Sequence, residues 1–143
     1  MRALLDVNVL IALLDPDHLH HRAATRWLAA HRAQGWASCP ITQNGCVRVM
    51  TQPAYPNAAP AGVVAALLRD ATTSTDHVFW PDELSIVAEG VLDWNAILGS
   101  RQVTDAYLLA LAVRRRGRFV TLDRGVALAA VPGATPKSLV VID

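Results

Sequence analysis

The sequence is poor in sulfur, in net charge and in long apolar runs. Only two cysteines, Cys39 and Cys46, occur among 143 residues, with neither a C-x-x-C nor a zinc-ligand spacing. They read as free thiols in a reducing, cytosolic compartment, with a disulfide between them as the alternative. The formal net charge is +1, so no global basic field announces a polyanionic partner, and any basic footprint must be local. No apolar run approaches the ~18 residues of a membrane span. The N-terminus superficially resembles a signal peptide, but Asp6 and Asn8 interrupt its apolar core and no clean small-residue cleavage site follows. Internal repeats and low-complexity tracts are missing, and nothing marks a domain boundary. What is present is hydrophobic residues at 52%, enough for one domain, 1–143, with a real core.

Apolar runs and turn residues predict the elements in order. Ala3–Leu5 reads as a buried strand and Val7–Leu14 as a short helix, followed by the turn Asp15-Pro16-Asp17. His20–Gln34 carries Ala23, Ala24, Trp27, Leu28 and Ala30 at helical spacing and is stopped by Gly35. Trp36–Cys39 is expected to be a strand and Thr42–Thr51 a helix. Gln52–Pro60 holds three prolines and reads as a mobile surface loop. Then follow a helix at Ala61–Ala71, a strand at His77–Trp80 ended by Pro81, and a helix at Leu84–Leu92. A loop at Gly99–Val103 leads into the clearest helix, Thr104–Arg116, with Gly117 as its stop. Strands at Arg118–Thr121 and Leu139–Ile142 complete the chain. Alternating strands and helices predict an α/β fold with a mostly parallel sheet sandwiched between helices.

Three aspartates fall at strand ends or the adjacent helix start. Asp6 follows Ala3–Leu5, Asp105 opens the run to Ala112, and Asp123 follows Phe119-Val-Thr-Leu122. Each alone has a structural reading: Asp6 as a helix cap, Asp105 as a charge in a helix first turn, Asp123 as a turn residue. Together they point to the carboxyl edge of a parallel sheet, where ligands bind. Carboxylates gathered there would repel by several kcal/mol per close pair. Oxygen-only ligation of Mg²⁺ or Mn²⁺ relieves that repulsion.

Leu4-Leu-Asp-Val-Asn-Val-Leu-Ile11, Val103-Thr-Asp-Ala-Tyr-Leu-Leu-Ala-Leu-Ala112 and Phe119-Val-Thr-Leu-Asp-Arg-Gly125 resemble the first, third and fourth acidic motifs of PIN-domain ribonucleases, and of the VapC-like toxins of toxin–antitoxin modules in particular. His18-Leu-His-His21…Trp27 and Ile41-Thr-Gln-Asn-Gly-Cys-Val-Arg48 are further local matches, so the resemblance spans essentially the whole chain. It implies a three-layer α/β/α sandwich and a metal-dependent endoribonuclease acting on tRNA or rRNA. Asp6, Asp105 and Asp123 would hold one or two Mg²⁺ or Mn²⁺ ions, Asp123 directly or through water. Asn8 would orient Asp6 or a bound water, and Thr121 has a similar role toward Asp123 or is a buried strand threonine. In-line attack would leave a 5′-phosphate and a 3′-hydroxyl. A VapB-like antitoxin and a homodimer are the implied protein partners.

One departure matters. The family usually carries a glutamate on the helix near Thr42, and here the segment reads Thr-Gln-Asn-Gly. Gln43 or Asn44 stands in as a neutral donor, or water fills the position. The expected consequence is low metal affinity that Gln43→Glu tightens, which calorimetric titration reads directly. A catalytically degenerate scaffold that binds RNA or a protein without cutting is the competing class. A haloacid-dehalogenase-like phosphohydrolase fits poorly because Asp6-Val-Asn8 lacks a second acid. A phospho-receiver fits poorly because Asp6 stands alone and Lys137 is the only lysine.

Several other residues have two readings. Arg48 is either a contact to the acids or substrate or half of a structural ion pair. The run Arg114-Arg-Arg-Gly-Arg118 is either a helix C-terminus with Gly117 as a left-handed cap or a phosphate contact. Arg22, Arg26 and Arg32 read mainly as a solvated face. His18, His20 and His21 read as capping or packing residues, since a zinc site would want more ligands. Trp27, Trp36, Trp80 and Trp94 read as core or interface residues.

Overall fold

The computed structural model describes residues 1–143. Five strands form one sheet: β1 (Ala3–Leu5), β2 (Trp36–Ser38), β3 (His77–Phe79), β4 (Arg118–Thr121) and β5 (Leu139–Val141), in the order β3-β2-β1-β4-β5. Every pairing is parallel, with Leu4 opposite Ala37 on one side and Phe119 on the other. The helices are α1 (Val7–Leu14), α2 (His21–His31), α3 (Pro40–Met50), α4 (Ala61–Thr72) and α5 (Arg101–Arg114).

Alternation along the strands divides the core into two layers. Leu4, Ala37 and Phe119 face α5, whose residues from Ala106 to Ala112 are all buried. Ala3, Leu5, Trp36 and Val120 face the opposite way, against Val9, Leu10 and Ile11 of α1, Ala24 of α2, Cys46 and Met50 of α3, and Val64 and Leu68 of α4. Burying one such aliphatic side chain contributes about 1.5–3 kcal/mol. A sheet covered on both faces explains why the strands read as continuous apolar runs. The architecture is the expected α/β/α sandwich, and the sheet is wholly parallel. Cys39 and Cys46 are free and buried. No helix is long and apolar enough to cross a membrane.

The structure corrects four sequence readings. Leu84–Leu92 is not a helix: after Pro81 the chain runs through irregular backbone and turns, and Leu84, Ile86 and Val91 reach the α5 core layer without helical hydrogen bonding. Helix α5 starts at Arg101, inside the expected loop, so Asp105 lies in its second turn and not its first. The residue with a left-handed backbone at its end is Arg116 (φ 55°), not Gly117. Gly117 is required for another reason, because a Cβ there would sit 2.6 Å from the Arg2 carbonyl oxygen and 2.8 Å from the Trp80 ring.

The Gln52–Pro60 loop is fastened rather than free. The Tyr55 hydroxyl donates to Asp15, and Asn57 Nδ2 donates to Asp15 and Asp17 at 3.1 Å each. Burial alone would raise the Asp15 carboxyl, but these bonds and the Asp17 amide outweigh it and hold it below the ordinary carboxylate range.

The basic run is engaged in structure. Arg115 pairs with Glu83 at 2.7 Å, and Arg118 donates to Gln34 and lies over the Trp27 ring. Arg118 opens β4, at the edge of the sheet opposite the strand ends.

Candidate active site

Strand order decides where a site can form. From β1 the chain builds outward through β2 and β3, then returns to the other side of β1 with β4 and β5. The reversal lies between β1 and β4, and in open parallel sheets the crevice beyond the carboxyl ends at such a reversal is where ligands bind. Asp6 directly follows β1, and Asp123 lies just past β4. The Asp6 amide donates to the Val120 carbonyl at 2.9 Å, continuing the ladder to the rim.

Asp6 is buried, and both its oxygens are engaged. One accepts from the Val7 amide at 2.7 Å, which makes Asp6 the N-cap of α1; the other accepts from the Thr121 hydroxyl at 2.6 Å. The cap reading and the site reading therefore hold together. Burial raises the Asp6 carboxyl above its ordinary range, those two hydrogen bonds lower it, and the Asp123 charge adds to the rise.

Thr121 is the junction. Its hydroxyl donates to Asp6, accepts from the Asp123 amide at 3.0 Å, and accepts from Asn8 Nδ2 at 3.3 Å. Asn8 Oδ1 accepts from the Leu122 amide at 3.2 Å. Asn8 thus acts on Asp6 through Thr121 and fixes the turn that presents Asp123. Asp123 is exposed, with one oxygen accepting from the Gly125 amide at 2.7 Å.

Asp105 comes in from α5, half-buried and without a hydrogen bond from any protein donor. Burial, then the charge of Asp6, then that of Asp123, push its carboxyl up to about 7. The three acids therefore sense one another across the strand-end crevice. They do not close into a tight cage: no group of three Asp, Glu, His or Cys side chains is drawn together closely enough to enclose an ion. The donor set suits a hard divalent cation, being all carboxylate oxygen, with Asp105 unpartnered and raised by burial first and by its acidic neighbours second.

The second-motif segment behaves differently. Gln43 Nε2 donates to the Ser38 hydroxyl at 3.0 Å, and Ser38 in turn meets His77 Nε2 at 2.8 Å. Asn44 and Arg48 are exposed, and Arg48 forms no ion pair, which removes its structural reading. Both line a cleft of about 390 Å³ that also touches Val7 and Thr104, the neighbours of Asp6 and Asp105. Together with Gln43, Leu68 and Arg69 they line a larger one of about 630 Å³ between α3 and α4. The Ser38–His77 pair and the cleft residue Arg69 escaped sequence reasoning; Asp82, one of the acids nearest the depleted second motif in sequence, gave no geometric reason there to be recruited. Only Asp82, directly after the strand-ending Pro81, carried a positional signal. The histidines near α2 serve local packing: His21 bonds the Ala12 carbonyl, and His31 stacks on Trp27.

Comparison with known proteins identifies the fold and the family. A model of the PIN domain matches residues 3–132. The chain is 53% identical over 139 residues to Ribonuclease VapC44 of Mycobacterium tuberculosis, covering 97% of this chain and 98% of that protein. It is 42% identical over 134 residues to Ribonuclease VapC39 of the same organism, covering 93% and 96%. Among solved structures, VapBC2 from Rickettsia felis bound to a DNA fragment from the promoter aligns with a TM-score of 0.65 at 13% identity, over 100% of both chains. Mycobacterium tuberculosis VapC20, a Sarcin-Ricin loop cleaving toxin, aligns with a TM-score of 0.56 at 15% identity, over 81% of this chain and 85% of that one. A switch-point crevice rimmed by aspartates, a matching domain model and close full-length relatives agree, and the chain belongs to the PIN-domain family, among its VapC ribonucleases.

Proposed function

We propose that this protein is an endoribonuclease toxin that hydrolyses phosphodiester bonds of structured RNA, tRNA or rRNA, using Asp6, Asp105 and Asp123. The observation that carries this reading is the placement of Asp6 and Asp123 just past the ends of β1 and β4, with the charges of both adding to the rise of the Asp105 carboxyl on α5. The full-length similarity to proteins named ribonucleases supports it. These acids would hold a divalent cation, Mg²⁺ with Mn²⁺ as substitute, which lowers the pKa of an attacking water and offsets charge on the scissile phosphate. Thr121 and Asn8 fix the directions of Asp6 and Asp123, so little reorganisation is needed when substrate arrives. Asp105, raised toward neutrality without a cation, ionises as positive charge enters. Water forms the new P–O bond and gives up a proton to solvent, the P–O3′ bond breaks, and O3′ takes a proton from solvent. The products carry a 5′-phosphate and a 3′-hydroxyl.

A VapB-like antitoxin is the proposed protein partner, supported by the VapBC2 complex among the structural neighbours. A groove of about 530 Å³ between α1, α2 and α4, lined by Leu10, Leu13, Leu14, Leu28 and Trp36, offers an apolar seat for such a chain. Exposed Val63 and Leu67 on α4 leave room for a homodimer contact.

The test is incubation of total tRNA and rRNA with Mg²⁺, with Mn²⁺ and with chelator, beside Asp6→Asn and Asp105→Asn. The expected result is discrete 5′-phosphorylated fragments that need metal and vanish in both variants. One observation favours a degenerate scaffold: Gln43 replaces an acid and is bound to Ser38. RNA binding without cutting by the folded, metal-loaded protein would establish that reading instead.

A further inference from the structure

Because every strand is parallel, all carboxyl ends lie along one edge of the sheet. Asp82 follows β3 on that edge, just as Asp6 follows β1 and Asp123 follows β4. It is exposed and forms no ion pair, and its carboxylate lies beside the Tyr107 hydroxyl and the Cys39 thiol without a well-formed hydrogen bond to either. It borders two adjoining clefts, of about 390 Å³ and about 300 Å³, which share Ile41, Asp82 and Thr104. The first is polar, reaches Val7 and Thr104 beside the candidate active site, and includes the unpaired Asn44 and Arg48. The second is an apolar slot formed with Leu84, Ile86, Val103 and Tyr107.

Tyr107 supplies an independent sign that the slot is incomplete. Its side chain is 6% exposed, and its hydroxyl is buried without any hydrogen-bond partner. Leaving such a group unpaired costs about 1–3 kcal/mol.

We propose that this composite cleft is a nucleobase subsite beside the scissile phosphate, and that Asp82 makes it selective for guanine. An apolar slot accepts the faces of an unstacked base, as single-stranded RNA recognition requires. A carboxylate offers two acceptors and no donor. Guanine alone among the four bases presents two adjacent donors on one edge, N1–H and the N2 amino group. Adenine and cytosine present one amino donor beside an acceptor, and uracil one N–H between two carbonyls. Arg48, in the polar lobe, is placed to hold the attached phosphate. The inference rests on the nuclease reading above.

The test is equilibrium titration of the full chain, in chelator, with 5′-GMP, 5′-AMP, 5′-CMP and 5′-UMP, followed by nuclear magnetic resonance shifts. The expected result is GMP binding about ten-fold tighter than the other three, the scale of one bidentate base contact. Asp82→Asn should erase that preference, while Glu89→Gln, at an exposed acid outside both clefts, should keep it. Equal binding of all four, no binding, or a GMP preference that survives Asp82→Asn would overturn the subsite. Failure of the nuclease reading registers separately, as intact RNA in the metal-dependent cleavage assay. Asp82 makes no well-formed internal bond, so the variant should fold normally, which its melting curve checks.

Discussion

Thr121 holds more of the site together than any acid does. One hydroxyl donates to Asp6 and receives the Asp123 amide and the Asn8 side chain. Thr121→Val keeps the shape and removes all three contacts. It should lower RNA cleavage by about 10- to 100-fold, as for groups that orient metal-binding carboxylates, and cost about 1–3 kcal/mol of stability. Thr121→Ser should restore most of both, and paired initial-rate and denaturation measurements check this. Asp105 carries a second prediction. Its carboxyl is raised from 3.8 to about 7, so the folded chain holds that proton where the unfolded chain has lost it. Metal-free stability should therefore be greatest at low pH with respect to this group and decline as pH rises from about 4 to 7. The decline should be about 1 kcal/mol, because the carboxyl is only half-buried and solvent screens its neighbours. Asp105→Asn should remove most of it, read by urea denaturation in chelator at pH 5 and pH 8. Asp6 and Asp123 stand out in sequence because each follows an apolar run where a strand ends, and Asp105 because it precedes the apolar run of α5. Thr121 reads in sequence only as a partner of Asp123 or a buried strand threonine; its bonds to Asn8 and Asp6 are not legible there, since those partners lie 113 and 115 residues away.

Elements were legible where apolar periodicity and local burial coincide. β1, α1 and the core of α5 meet that condition, and the sequence pattern found them. The segment 84–92 does not: Leu84, Ile86, Val91 and Leu92 are apolar because the α5 layer needs covering, not because a helix forms. The start of α5 was hidden for the opposite reason, since its first turn is polar and partly exposed, and Gln102 accepts from the Leu98 amide at 2.8 Å in advance of any apolar signal. The proline-rich loop shows how one polar anchor changes an element's behaviour. Tyr55→Phe removes a hydrogen bond to the buried Asp15 and should cost about 1–3 kcal/mol. It should also make residues 52–60 more open to proteolysis than in the wild type, which a limited-digestion time course checks. Because Asp15 is depressed in the folded state, its stabilising contribution is present above about pH 4 and lost as pH falls further.

At the scale of the whole molecule, a net charge of +1 leaves RNA attraction to a few arginines. Arg48 and Arg69 flank the cleft between α3 and α4 and form no ion pair. If RNA follows that cleft, Arg48→Ala and Arg69→Ala should each flatten the salt dependence of RNA binding by about 0.7 in the log–log slope. Binding to the uncut substrate, measured with Asp105→Asn as background, reads this; an unchanged slope would place the RNA elsewhere. Alternating strands and helices predicted the three layers and the parallel sheet. They did not give the strand order, which depends on long-range pairing that no local pattern encodes.

The central position of β1 has a consequence for the order of events during synthesis. β1 is made first, yet one of its two neighbours, β4, begins at Arg118. Until that strand leaves the ribosome, Asp6 has no Thr121 to hold it and no Asp123 beside it. A nascent chain that stalls or is cut before β4 carries the first acid and no working centre. The fold therefore withholds this candidate centre until β4 has been made and has paired with β1.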